Sequence, residues 1–67
     1  MSVAKVTEIS STSGTSFEDA IEKGIARASQ TLRNVKSVWI KEQYVRVESG
    51  RPSEYQVNMM VTFVIDD

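Results

Sequence analysis

The chain contains no cysteine and no histidine. Without cysteine, disulfide staples and zinc–thiolate sites are excluded. Without histidine, the commonest metal ligand and the commonest general base are missing, and no imidazole can activate any of the many serines. Charge of one sign is also lacking. Eight Lys plus Arg against nine Asp plus Glu leave a formal net charge of −1, and with no basic stripe there is no field to attract nucleic acid. No apolar run approaches the length that spans a bilayer, so no membrane association is expected. Met1–Lys5 lack a basic segment followed by an apolar core, so no signal peptide is expected and a cytoplasmic location follows by default.

What is present is a short chain of 67 residues, 40% of them hydrophobic, too apolar for a disordered polymer. It is read as a single domain over residues 1–67. A domain of this size buries only about 60% of the surface its unfolded chain exposes. Such domains are stabilised by disulfides, a metal or oligomerisation. With the staples excluded, self-association is the route left.

Val3–Ile9 reads as a first strand on its β-branched content. Ser10–Ser16 is a polar loop that leads into a helix, with Thr15 and Glu18 spaced as a capping box and Ser13 or Ser16 as alternative caps. Phe17 to about Asn34 reads as the helix, with Phe17, Ile21, Gly24, Ile25, Ala28 and Leu32 on one stripe. Gly24 within that stripe predicts close approach to a sheet, since an interior helical glycine otherwise costs roughly 1 kcal/mol.

Lys36 to about Glu48 reads as a long second strand whose apolar residues change face near Glu42–Tyr44, which predicts a bulge or strong bend there. Ser49–Ser53 reads as a turn. Glu54–Ile65 is a third strand with strict alternation: Tyr55, Val57, Met59, Val61, Phe63 and Ile65 on one face, Gln56, Asn58, Met60, Thr62 and Val64 on the other. The expected fold is α+β, in the order β-α-β-β. A helical crossover makes the first two strands parallel, and a tight turn makes the last two antiparallel. The most apolar strand belongs in the middle, giving order 1-3-2 with the helix on one face. The other face, carrying Trp39, Gln56, Asn58, Met60 and Val64, is left for self-association.

No catalytic constellation is visible, and the chain is not expected to be an enzyme. Trp39 is either an aromatic platform for a planar ligand or a buried anchor between subunits. Gln56, on the same face, offers the donor and acceptor of an amide to a heterocycle or to a neighbouring subunit. Asp66 and Asp67 at the tail could hold a cation such as calcium; plain solubility is the commoner role for charged terminal residues.

The chain resembles the dodecin family over nearly its whole length. The resemblance lies in Ser13–Ala20 (Ser-Gly-Thr-Ser-Phe-Glu-Asp-Ala) opening the helix, Ala26-Arg27-Ala28 and Thr31-Leu32-Arg33 at its end, Glu54-Tyr55-Gln56-Val57 opening the last strand, and Val61-Thr62-Phe63 near the carboxyl terminus. Each piece is weak, and their order and spacing together are specific. The resemblance implies a hollow, cube-like homododecamer whose sheets wrap the helix and line the subunit contacts. In flavin-binding members, flavin pairs lie between subunits, sandwiched by a tryptophan, with a glutamine bonded to the isoalloxazine edge. The implied role is storage and buffering of a flavin such as FMN or riboflavin.

The glutamine carries over onto Gln56. The tryptophan position falls at Ser37, and Trp39 stands two residues later on the same face, displaced by roughly 6–7 Å. A basic residue that some members place near the ligand phosphate falls at Tyr44. Some members lack the tryptophan and are linked to calcium, so the alternative is an assembly that holds a cation or serves a structural role.

Overall fold

The strand with the clearest alternation occupies the middle of the sheet. In the computed structural model, which describes residues 3–65, the order of elements is β1 (Ala4–Ser13), α1 (Phe17–Thr31), β2 (Val35–Glu48) and β3 (Arg51–Val64). The three strands form one sheet in the order β1-β3-β2, both pairings antiparallel. The expected β-α-β-β topology and strand order are therefore those of the protein. Asp66 and Asp67, and Met1 and Ser2 of the leader reading, lie outside the described residues.

The core follows from the pleat of β3. Val57, Met59 and Val61 point to the helix and are completely buried, as is Ala20. Ile9, Phe17, Ile21 and Val38 close around them. The helical stripe includes Ala20, Gly24 and Ala28 as its buried residues; Ala20 was absent from the expected stripe. Gly24 packs so closely on the sheet that a Cβ there would collide with the Met59 Cε and lie 3.1 Å from the Ser11 Cβ.

Three element ends differ from the sequence reading, each for a local reason, and the helix start takes one of the expected alternative caps. β1 continues through Ser10–Ser13, because Ser10 to Ser13 pair with Asn58 to Tyr55 across the ladder. Pairing to a central strand overrides the loop character of serine. The helix is capped by Ser16, whose Oγ accepts the Asp19 N–H at 3.0 Å. Thr15 instead donates its backbone N–H to the Ser13 Oγ. The helix stops at Thr31, and Asn34 adopts a φ of 60°, a conformation asparagine tolerates better than most residues. The β2–β3 turn is only Ser49–Gly50, with φ values of 52° and 74°, the left-handed pair that a two-residue type I′ hairpin needs.

β2 resolves its change of face as expected. The register with β3 shifts between Ile40 and Glu42, again between Val35 and Ser37, and again between Arg46 and Val47. Beyond the central shift, Glu42, Tyr44 and Arg46 stand opposite Asn58, Gln56 and Glu54. They therefore join Trp39, opposite Met60, on the face away from the helix.

The molecule is elongated, 51 × 19 × 13 Å, with a radius of gyration of 13.8 Å against about 11 Å for a compact chain of this length. Its accessible surface of 4846 Å² exceeds the roughly 4,200 Å² of a typical monomer of this mass. Element lengths explain both. The 14 residues of each hairpin strand reach about 45 Å, while the 15-residue helix covers about 22 Å. The uncovered hairpin leaves Val45 and Val47 exposed on the helix side, and Val6, Trp39 and Tyr44 are exposed on the other.

Candidate ligand site

The face away from the helix is built in rows across the three strands. Val6–Thr62–Ser37 form one row, Glu8–Met60–Trp39 the next, then Ser10–Asn58–Glu42, then Thr12–Gln56–Tyr44, with the Glu54–Arg46 pair beyond. Residues on one face of a pleated sheet recur every second position, and the register shift between Ile40 and Glu42 moves Tyr44 onto the face of Ser37 and Trp39, so all four residues singled out by sequence, Ser37, Trp39, Tyr44 and Gln56, lie on this face. They are not all adjacent. Tyr44 and Gln56 are direct cross-strand partners. Trp39 is opposite Met60, four residues along β3 from Gln56, which is about 13 Å. Ser37 is opposite Thr62, six residues along, or about 20 Å.

Around Gln56 the side chains form a continuous polar file. Arg46 donates through Nη2 to the Gln56 Oε1 at 2.9 Å, and through Nε to the Glu54 Oε1 at 2.9 Å. The Gln56 Nε2 donates to the Ser10 Oγ at 3.1 Å and to the Asn58 Oδ1 at 3.2 Å. The Asn58 Nδ2 in turn donates to the Glu42 Oε1 at 3.1 Å and to the Tyr44 Oη at 2.8 Å. Asn58, Arg46 and Ser10 were missed as site residues by sequence reasoning. Their signal was available in the alternation of β3 for Asn58, but the register of β2 past its bulge was needed for Arg46.

The Trp39 end is different in character. The indole is half exposed beside Met60. Lys41, the residue skipped by the register shift, reaches over the strand and donates from Nζ to the Glu8 Oε1 at 3.1 Å. That bond, and the Glu8 charge with it, hold the lysine above its ordinary ammonium value. At the helix start, bonds from Lys23 and from the Ser13 hydroxyl hold Asp19 below the ordinary carboxylate value. The buried Ser13 is thus committed to the cap: its Oγ accepts the Thr15 N–H at 2.9 Å and donates to the Asp19 Oδ2 at 2.6 Å.

The open face is flat within one subunit, whereas ligand sites are concave. A groove of about 370 Å³ does lie between α1 and β1, with Ile9, Gly24, Ala28 and Leu32 along it and Lys23 and Arg27 at its rim. It contains none of the four candidate residues. Among the described residues no group of three or more His, Cys, Asp or Glu could hold a metal ion, and no helix is long and apolar enough to cross a membrane.

Comparison with known proteins agrees with this architecture. The chain is 33% identical over 63 residues to a protein of Mycobacterium tuberculosis named calcium dodecin, covering 94% of this chain and 89% of the relative. The crystal structure of that calcium-chelating antigen superposes with a TM-score of 0.82 at 30% identity, covering 96% of this chain and 91% of the other. A dodecin from Streptomyces davaonensis gives a TM-score of 0.92 at 36% identity over 98% of this chain and 97% of that one. A point variant of the Thermus thermophilus dodecin gives 0.94 at 33% identity over the whole of both chains. The family model for dodecin matches residues 3–66, a span that includes all three strands and the helix described above, and the chain belongs to the dodecin family.

Proposed function

We propose that the chain is a non-enzymatic small-ligand binding and storage protein of the cytoplasm that works as a homo-oligomer, the hollow dodecamer that the family implies. One observation carries this reading. The polar file around Gln56 and the half-exposed Trp39–Met60 pair share a sheet face that nothing in the subunit covers. A second copy laid on that face turns a flat surface into a slot, buries the indole, and brings stacking and hydrogen-bonding groups of different subunits to one ligand. Flavin is the leading ligand, because Gln56 holds the place of the glutamine that meets the isoalloxazine edge. The absence of His and Cys and the engagement of the Ser13 hydroxyl with Thr15 and Asp19 at the helix start support a role without catalysis.

A second reading is favoured by the M. tuberculosis relative named calcium dodecin. With serine at position 37 the stacking ring is gone, while oxygens of Glu42 and Tyr44 and the carboxylate of Glu8 remain on the open face. In this reading the assembly binds a divalent cation and no flavin, or serves a structural role. The experiment that separates the two is the colour of the purified protein, followed by fluorescence titration with riboflavin and FMN and calorimetric titration with calcium. Saturable flavin quenching supports the first reading. Calcium heat without flavin quenching replaces it with the second.

A further inference from the structure

The groove between α1 and β1 takes no part in the open face, and its shape follows from the sequence. α1 turns Gly24 and Ala28, two residues without bulk, toward β1. The helix therefore lies so close at Gly24 that a Cβ there would stand 3.1 Å from the Ser11 Cβ, and beside that contact no large helical side chain fills the space. β1 is an edge strand in the order β1-β3-β2, so no further strand of the subunit closes the outer side. The result is a trough of about 370 Å³, within the range of small-molecule sites. Ile9 and Leu32, which line it, are left only half-buried.

The rim carries charge of one sign. Lys23 and Arg27 stand together on it, neighbours on the helix surface at i and i+4. They are not equivalent. The Lys23 Nζ is held 2.8 Å from the Asp19 Oδ2. Arg27 makes no hydrogen bond or ion pair among the described residues. Glu8 of β1 lies on the other face of the sheet, bonded to Lys41. Thr7, Ser11 and Thr31 add hydroxyls to the lining, that of Thr31 donating to the Ala28 carbonyl. The groove thus pairs a largely apolar floor with one uncommitted guanidinium, whose planar fork of donors matches the two oxygens of a carboxylate.

A second copy of the chain fits this combination less well. It would offer the exposed Val45 and Val47 of its hairpin, an apolar strip whose neighbouring carboxylates are matched within the hairpin, Glu54 by Arg46 and Glu48 opposite Arg51. Such a contact covers the floor and leaves Arg27 without a counter-charge. We infer that the groove is a binding site separate from the open face, for a monoanionic aliphatic amphiphile: a medium-chain carboxylate whose chain lies on Ile9, Ala28 and Leu32 and whose head group meets Arg27. The inference stands independently of the flavin reading.

Leu32 is the only leucine of the chain, so leucine-selective methyl labelling places a single reporter residue in the groove of the whole protein. We expect octanoate to shift the Leu32 methyl signals saturably. Butyrate should bind at least about tenfold more weakly, because four fewer methylenes leave water. The neutral 1-octanol should bind about three- to tenfold more weakly, because it brings no charge to the guanidinium. Arg27→Gln, at an exposed helical position, should bring octanoate to within about twofold of 1-octanol. Trp39 emission, which reports the opposite face, should not follow the titration. Equal affinity for octanoate and 1-octanol in the native protein, or a carboxylate preference that survives Arg27→Gln, overturns the inference. Leu32 signals that octanoate leaves unmoved overturn it as well, and if dilution of the protein shifts them instead, the groove is a contact between copies.

Discussion

Ser37 and Gln56 stand on one face of the same sheet, six residues apart along β3 because Ser37 pairs with Thr62. At about 3.3 Å per residue the separation is about 20 Å, longer than one planar ring system. A single planar ring that touches both positions must therefore take them from two subunits.

This geometry makes the effect of restoring a ring at position 37 specific. An aromatic pair adds roughly 0.5–1.5 kcal/mol beyond the area it buries. A neutral hydrogen bond to Gln56 nets about the same, so it cannot replace both the stacking and the lost apolar contact. The native chain is expected to bind flavin more weakly than tryptophan-bearing relatives. Ser37→Trp should raise riboflavin affinity by about tenfold or more, and Gln56→Ala in that background should reduce it again. Fluorescence titration measures both steps. Tight binding by the native chain, abolished by Ser37→Trp, means that other residues form the pocket.

Trp39 gives an internal reporter. It is 51% exposed in the isolated subunit, and its cross-strand partner Met60 and, farther along β3, Val64 lie on the same face. If this face is an interface, indole emission in the assembly is blue-shifted and insensitive to added flavin. Near-complete quenching at one flavin per chain identifies Trp39 as the stacking platform instead.

Most of the fold was legible because β3 keeps strict alternation from Glu54 to Val64, and because the helix stripe and the β2–β3 turn carry local signals. The ends were less so. Ser10–Ser13 look like a loop and pair as a strand, since their partners on β3 lie more than forty residues away. The Gln56–Tyr44 pairing came from the sequence only as two residues of interest. Placing them opposite each other required the shift at Ile40–Glu42, and alternation alone puts Tyr44 on the face opposite to Trp39. Arg46 was hidden for the same reason.

Gly24 tests the packing of α1 on the sheet. Alanine gains about 1 kcal/mol of helix propensity, and its Cβ meets the movable end of Met59 but also the Ser11 Cβ at 3.1 Å. Gly24→Ala should therefore change stability by no more than about 1 kcal/mol, because the two effects offset. Gly24→Leu cannot be absorbed in the same way and should cost about 1–3 kcal/mol or more. Thermal denaturation of the two variants checks the contrast. A stabilised Gly24→Leu contradicts the observed packing.

The helix start predicts a pH dependence. Asp19 titrates below its ordinary value of 3.8, chiefly through its bond to Lys23 and then through Ser13. A lowered folded-state value means that the carboxylate contributes stability in full above the unfolded value, and that this contribution is lost as pH falls through the lowered one. Acidification below about pH 4 should thus weaken the native protein more than Asp19→Asn, in which the titrating group is gone. Ser16→Ala, which removes the N-cap, should cost about 1 kcal/mol at every pH. Equal acid sensitivity of the native protein and Asp19→Asn means that other carboxylates govern the transition.

The most direct test of the central claim is native mass spectrometry of the purified protein at micromolar concentration, with and without riboflavin. The account predicts a single closed assembly of twelve chains and, at raised flavin concentration, added mass in multiples of the flavin. A stable, folded monomer that takes up no ligand contradicts it.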